Sequence, residues 1–183
     1  MLKTGREHLK SLNDGRTVYI GNEKVKDVTK HPAFCNAAKT VASLYDIKHE
    51  PGSRDILSFE EDGERYSMWF LRAKNRDDLR KRSAAHKKIA DLSSGLFGRS
   101  PDHVASFVTG MSTCPSVFNS ENYKFGDNLL AYYQHMREND IFATYAVLPP
   151  QAARNPEFYE KQNLSVPTLR VVREDDNGVV ISG

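Results

Sequence analysis

The sequence predicts an α+β protein that is mainly α, and three observations carry that prediction. Apolar stripes of helical period fill the first three-quarters of the chain. Two-residue turn signals at Gly21-Asn22 and Asp62-Gly63 sit between short alternating runs, which marks small hairpins rather than one large sheet. After Asn139-Asp140 the pattern becomes β-like.

The elements follow in order. Thr4 with Glu7 three residues on has the form of a capping box and predicts a short helix from about Gly5 to Leu12, closed by "NDGR". "RTVYIGNEKVKDV" predicts a hairpin between Val18-Ile20 and Lys24-Val25. Pro32, at a first-turn position, opens a helix striped by Phe34, Ala37, Ala38, Val41, Leu44 and Tyr45, which ends before Pro51-Gly52. "ILSFEEDGERYSMWF" reads as a second hairpin, turning at Asp62-Gly63. Asn75 caps a long helix with Leu79, Ile89, Leu92 and Leu96 on one side. Ser100 and Pro101 form an N-cap and first-turn pair for the next helix, which carries Val104, Phe107, Val108 and Met111. A further helix spans about Glu121 to Glu138, with Leu129, Leu130, Tyr133 and Met136 inward. "IFATYAVL" then reads as β, "PPQAARNP" as a loop, and "LRVVREDDNGVVIS" as a hairpin turning at Asn177-Gly178. Two domains are expected: a helical one over 1–140 and the start of a β domain over 141–183. A lone two-stranded hairpin is marginal in water, so the final strand predicts either further chain after Gly183 or a partner that completes the sheet.

Composition narrows the function classes. Among 183 residues, 26 Lys+Arg against 24 Asp+Glu give a net charge of +2, so no global field recruits nucleic acid or a membrane surface. The basic run "RAKNRDDLRKRSAAHKK" interleaves Asp77 and Asp78 and reads as a solvated helix face. Cys35 and Cys114 match no metal spacing, the six histidines form no i,i+4 pair, and no metal site is expected. No stretch approaches the roughly 18 apolar residues of a membrane span, and a cytoplasmic protein is expected. Phosphate-loop, HExxH, GxSxG and paired-cysteine motifs are missing from the sequence.

What remains is the helix start at "GRSPDH" and the loop after Leu148. A helix N-terminus presents N–H groups and partial positive charge to an anion, and Arg99 in front with His103 on the first turn adds donors. A phenolate, carboxylate or phosphate fits such a place. The same residues also read as a solvated surface cation and a histidine packed beside the cap.

Taken together, "HLKSLNDGRTVYIGNEKVKDVTKHPAF", "GRSPDH" and "TYAVLPPQAAR" resemble the family of the 4-hydroxyphenylacetate 3-monooxygenase oxygenase component, with its pyoverdine-chromophore-type and chlorophenol monooxygenase relatives. The likeness runs in order over nearly the whole chain. It implies an acyl-CoA-dehydrogenase-like N-terminal helical domain followed by the first strands of a middle β domain. A C-terminal helical bundle, which family members also have, lies outside it. The implied activity is that of a two-component monooxygenase: a separate flavin reductase supplies FADH2, O2 adds at the flavin C4a, and a phenol is hydroxylated ortho to its hydroxyl. A homotetramer is implied for the full-length protein.

Residue by residue, Arg99 matches the arginine of the family's "RSPDY", which contacts the phenol. His103 stands where that motif has tyrosine, and Tyr145 stands where many members have the histidine of "THA" or "NHA". Arg99, His103 and Tyr145 are thus the implied substrate-contacting residues, with both aromatic positions exchanged. Tyr145, Ala146, Val147, Gln151, Ala152, Ala153 and Arg154 match the flavin-contacting strand and loop. The 4-hydroxybutyryl-CoA dehydratases share the scaffold, but their cluster cysteines fall near "RSPDH", where this chain has none. Two other readings stay open: a stand-alone or split domain that binds flavin or a partner subunit without catalysis of its own, and a helical interaction domain with no small-molecule site.

Overall fold

The computed structural model describes residues 2–96, 102–145, 151–176 and 178–183. The chain divides into two compact units, Met1–Thr144 and Tyr145–Gly183.

In the first unit, Thr4 caps α1 (Gly5–Ser11) with both halves of the capping box made. Its hydroxyl accepts from the Glu7 N–H at 3.2 Å, and the Glu7 carboxylate accepts from the Thr4 N–H at 2.7 Å. The hairpin of β1 (Val18–Ile20) and β2 (Glu23–Val25) pairs Val18 with Val25 around Gly21, whose φ of +57° the turn requires. Helix α2 runs Cys35–Asp46. Pro32 lies ahead of it rather than in its first turn: the Phe34 and Cys35 N–H groups both donate to the His31 carbonyl, so a separate turn leads in. The buried stripe of α2 is Ala38, Ala42, Leu44 and Tyr45, while Ala37 faces out. Gly5 allows α1 to press on α2; its N–H donates to Asp46 Oδ1 at 2.7 Å, and a Cβ there would stand 2.5 Å from the Ala42 carbonyl oxygen.

A 3₁₀ turn (Ile47–His49) leads into α3 (Pro51–Leu57), a helix where the sequence pattern predicts none. Its seven residues are too few to show a stripe, yet Pro51 sits at N1 after an extended Glu50, the arrangement that starts helices. The hairpin of β3 (Ser58–Glu61) and β4 (Glu64–Ser67) turns at Asp62-Gly63 as the sequence predicts, and Met68–Phe70 close it as a 3₁₀ turn, not a strand. Asn75 caps α4 (Arg76–Leu92), accepting from the Asp77 and Asp78 N–H groups at 2.8 and 2.9 Å. Of the expected face of α4, Ile89 is buried as predicted, but the three leucines are not. Leu79 is 59% exposed and Leu96, beyond the helix end, 89%; the face that packs inward carries Ala85 and Ile89. Ten residues separate Leu79 from Ile89, which leaves them about 80° apart around a helix of 3.6 residues per turn.

Helix α5 spans Asp102–Met111, with Ala105 and Val108 inward and Phe107 outward; Ser100 and Pro101 lie outside the described residues. Helix α6 (Phe125–Glu138) starts four residues later than the periodicity predicts, because Asn119 and Lys124 form an antiparallel bridge across the preceding turn. The core gathers Leu44, Leu57, Met68, Trp69, Phe70, Ala85, Ile89, Ala105, Val108, Tyr133 and Met136. Ile141 and Ala143 pack against it without forming the strand expected of "IFATYAVL", whose residues 146–148 lie outside the described set.

The second unit holds a 3₁₀ turn (Gln151–Arg154) and α7 (Pro156–Lys161), both within or beside the predicted loop. Asn155 caps α7 by accepting from the Phe158 N–H at 3.2 Å, and Pro156 occupies its first turn. Strands β5 (Arg170–Asp175) and β6 (Gly178–Ser182) form the expected antiparallel hairpin, with a register shift between Val171 and Arg173, but Gly178 pairs with Asp175 in the ladder rather than turning the chain, and Asn177 lies outside the described residues. Both of its faces are exposed.

Candidate substrate and flavin site

The candidate residues fall on three short stretches. His103 occupies the first turn of α5, half-buried, its ring edge-on to Phe107 with centroids 4.8 Å apart. That pairing follows from helix geometry, which stacks i and i+4 on one face. Phe107 is 56% exposed, so the first two turns present an imidazole and a phenyl ring together at the surface of their unit. Tyr145 is the first residue of the second unit and also exposed. Gln151, Ala153 and Arg154 share the 3₁₀ turn, with the Gln151 and Arg154 side chains exposed; Ala152 is described in its backbone alone. Arg99, Ala146 and Val147 lie outside the described residues.

Within the first unit, two sets of polar contacts join distant segments. Asp140, at the end of α6 with φ of +44°, is 1% exposed, and Lys48 is fully buried. Lys48 Nζ donates to Asp140 Oδ2 and, at 2.8 Å, to Ser67 Oγ; the Ser67 hydroxyl donates to Asp140 Oδ1 at 2.5 Å. The Lys3 N–H reaches Asp140 Oδ2 at 3.1 Å, and the Tyr45 hydroxyl donates to the Asp140 carbonyl at 2.9 Å. One carboxylate thus joins the N-terminal segment, the turn after α2, the end of β4 and the end of α6, five residues before Tyr145. Burial pulls the Lys48 ammonium below its ordinary range and Asp140 opposes that pull, while burial and the Asp140 charge push the Tyr45 phenol upward and keep it a neutral donor.

The second anchor is Arg82 on α4. Its Nη1 donates to the carbonyls of Trp69 and Leu71, each at 2.9 Å, and its Nη2 donates to Ser106 Oγ on α5. Neither anchor is foreseen by the sequence reading. Lys48 and Asp140 lie 92 residues apart with no local signal between them. The hydroxyls Ser106, Thr109 and Ser112 do recur at a spacing of three within one predicted helix, and that pattern was available to find the second.

Chemically the set supplies hydrogen-bond donors and cations: an imidazole, a phenol, a side-chain amide and the guanidinium of Arg154, with Arg99 next to α5 in sequence. Among the described residues no group of three or more His, Cys, Asp and Glu gathers to hold a metal ion. No helix among them is long and apolar enough to cross a membrane.

Helices and small antiparallel hairpins make the fold α+β, mainly α, and its match to the solved oxygenase component of 4-hydroxyphenylacetate 3-monooxygenase puts it in the acyl-CoA-dehydrogenase-like class. Residues 4–183 match the family model described as 4-hydroxyphenylacetate 3-hydroxylase N terminal, and the chain belongs to that family. It is 34% identical over 184 residues to the 4-hydroxyphenylacetate 3-monooxygenase oxygenase component of Thermus thermophilus, a match covering 100% of this chain and 37% of that protein. It is 32% identical over 190 residues to the FADH(2)-dependent monooxygenase of Burkholderia cepacia, covering 100% of this chain and 36% of that one. The oxygenase component of 4-hydroxyphenylacetate 3-monooxygenase solved with FAD and 4-hydroxyphenylacetate superposes with a TM-score of 0.82 at 33% identity, over 98% of this chain and 37% of that one. The chain therefore spans little more than a third of the length of these relatives.

Proposed function

We propose that this chain is the N-terminal part of a reduced-flavin-dependent, two-component monooxygenase that hydroxylates a phenol. The single observation that carries the reading is the family match over residues 4–183, with the fold superposing on a relative solved with FAD and 4-hydroxyphenylacetate. In the overall reaction one oxygen atom of O2 replaces hydrogen on the ring carbon ortho to the hydroxyl, the other leaves as water, and FADH2 from the reductase becomes FAD. The donor set fits the cofactor: Gln151 and Arg154 present an amide and a cation from one exposed turn, suited to the polar edge or the negative charge of a flavin. The flavin supplies the oxygen chemistry; the protein's share is to bind, orient and exclude water.

Arg99 holds the phenol as its phenolate, which raises electron density at the ortho carbon. His103 and Tyr145 hydrogen-bond the substrate in the exchanged positions. An imidazole in place of a phenol shortens the reach and changes the hydrogen-bonding group offered, so the exchange shifts which phenol is preferred. The domain boundary belongs to the same proposal: a helical domain over 1–140 and the first strands of a β domain over 141–183, completed in a full-length homotetramer in the cytoplasm.

The test is turnover by the full-length protein with FADH2 from a reductase and a panel of para-substituted phenols. Catechol formation is expected, and Arg99→Ala is expected to raise the phenol KM or cut the yield by about 10²-fold while flavin oxidation continues. Flavin oxidation with no catechol from any phenol would refute the hydroxylase reading and favour the flavin-binding domain without catalysis. Unchanged product yield in Arg99→Ala would make Arg99 a surface residue.

A further inference from the structure

Among the described residues, Ser106 and Thr109 of α5 and Ser112 just after it lie along one stripe and make polar contacts with residues 68–72 and Arg82. Ser106 accepts from Arg82, whose other terminal nitrogen holds the Trp69 and Leu71 carbonyls. One turn on, the Thr109 hydroxyl donates to the Trp69 carbonyl at 3.1 Å. One turn further, Ser112 Oγ accepts from Arg72 Nε at 3.0 Å and donates to the Thr109 carbonyl at 2.7 Å. Beside the stripe, α5 gives the small and medium side chains of Ala105 and Val108 to the core. Apolar packing of that kind decides which face is buried but resists a slide along the axis weakly, because its energy is not directional. Hydrogen bonds at three successive turns do resist it, since each weakens steeply away from its distance and angle. A guanidinium fork suits the task, as its rigid plane bonds two elements at once.

We propose that Arg82, acting through Ser106, is a positioning residue for the substrate site: it fixes the axial place of α5 and with it the place of His103, one turn N-terminal to Ser106. The inference rests on the reading that His103 lines the phenol site.

The test uses the full-length protein with 4-hydroxyphenylacetate as probe, and the variants Arg82→Lys, Ser106→Ala and Ser106→Thr. Loss of a hydrogen bond to a charged group is expected to raise KM about tenfold in Arg82→Lys and Ser106→Ala, with kcat and FAD affinity within about twofold of wild type. Ser106→Thr, which keeps the hydroxyl, is expected to restore KM. Hydrogen exchange supplies a readout that needs no turnover: the amides of residues 103–106 exchange about tenfold faster in Arg82→Lys while those of α6 do not change. Unchanged KM with unchanged exchange overturns the proposal. So does a parallel loss of FAD affinity and KM, which marks a general structural role. If the wild-type protein hydroxylates no phenol, the functional reading fails, and the exchange result alone decides whether Arg82 places the first turn of α5.

Discussion

Lys48 Nζ lies between two aromatic faces, 4.2 Å from the Tyr45 centroid and 4.5 Å from that of Trp69, and ends on a carboxylate that also takes a serine hydroxyl and a backbone N–H. A buried charge held this way is costly to orphan. Lys48→Met is expected to lower unfolding stability by about 3–5 kcal/mol, because Asp140 then remains buried without its counter-ion. The double variant Lys48→Met/Asp140→Leu is expected to recover part of that loss. Urea midpoints of the two variants decide the matter, and a single variant within 1 kcal/mol of wild type would show that the pair adds nothing. None of this is legible locally, since lysine in a turn ordinarily signals solvent.

At the scale of elements, two glycines in helices make opposite predictions. Gly5 sits where α1 touches α2, and any Cβ meets a backbone carbonyl that has nowhere to go. Gly5→Ala is therefore expected to destabilise by about 1–3 kcal/mol. Gly110, inside α5, has nothing within 4 Å of a Cβ, and Gly110→Ala is expected to stabilise by about 0.5–1 kcal/mol through lower chain entropy in the unfolded state. Thermal melts of both variants check the contrast, and equal shifts would refute the close approach. Caps and turns were readable in the sequence because their chemistry is local: Thr4 with Glu7, Asn75, Gly21 and Asp62-Gly63 each satisfy backbone groups within a few residues. The buried face of α4 was readable only at Ile89. Its leucines point outward because Ala85 and Ile89, with Arg82 between α4 and α5, fit the space against the Met68–Phe70 turn.

For the whole molecule, acid sensitivity follows from His8. Its ring is 6% exposed and stacks on Tyr45 at 4.8 Å. Burial first, then the cations of Lys3 and Lys48, hold this imidazole below its ordinary 6.5, with Asp140 opposing. The unfolded chain therefore takes up the proton before the folded one does. The contribution of His8 to stability is complete above about pH 6.5 and is lost as pH falls through the lowered folded value. Unfolding free energy is expected to be level from pH 7 to 8 and to decline below 6.5, and His8→Phe is expected to flatten the upper part of that decline. Identical slopes in the two proteins would remove His8 as the cause.

The sequence by itself determined the α+β class, most helix starts, the two hairpin turns of the first unit and the family, because each is written in neighbouring residues or in an ordered set of short motifs. It also singled out His103, Tyr145 and the turn carrying Gln151 and Arg154. Only the tertiary structure decided that the leucines of α4 face outward, that α3 and α7 exist, and that Asp140 and Arg82 tie together distant segments of the first unit. Those outcomes depend on groups brought together from distant parts of the chain, such as Lys48 with Asp140, and on the space left between packed helices. No local spacing encodes the pairing of Lys48 with Asp140.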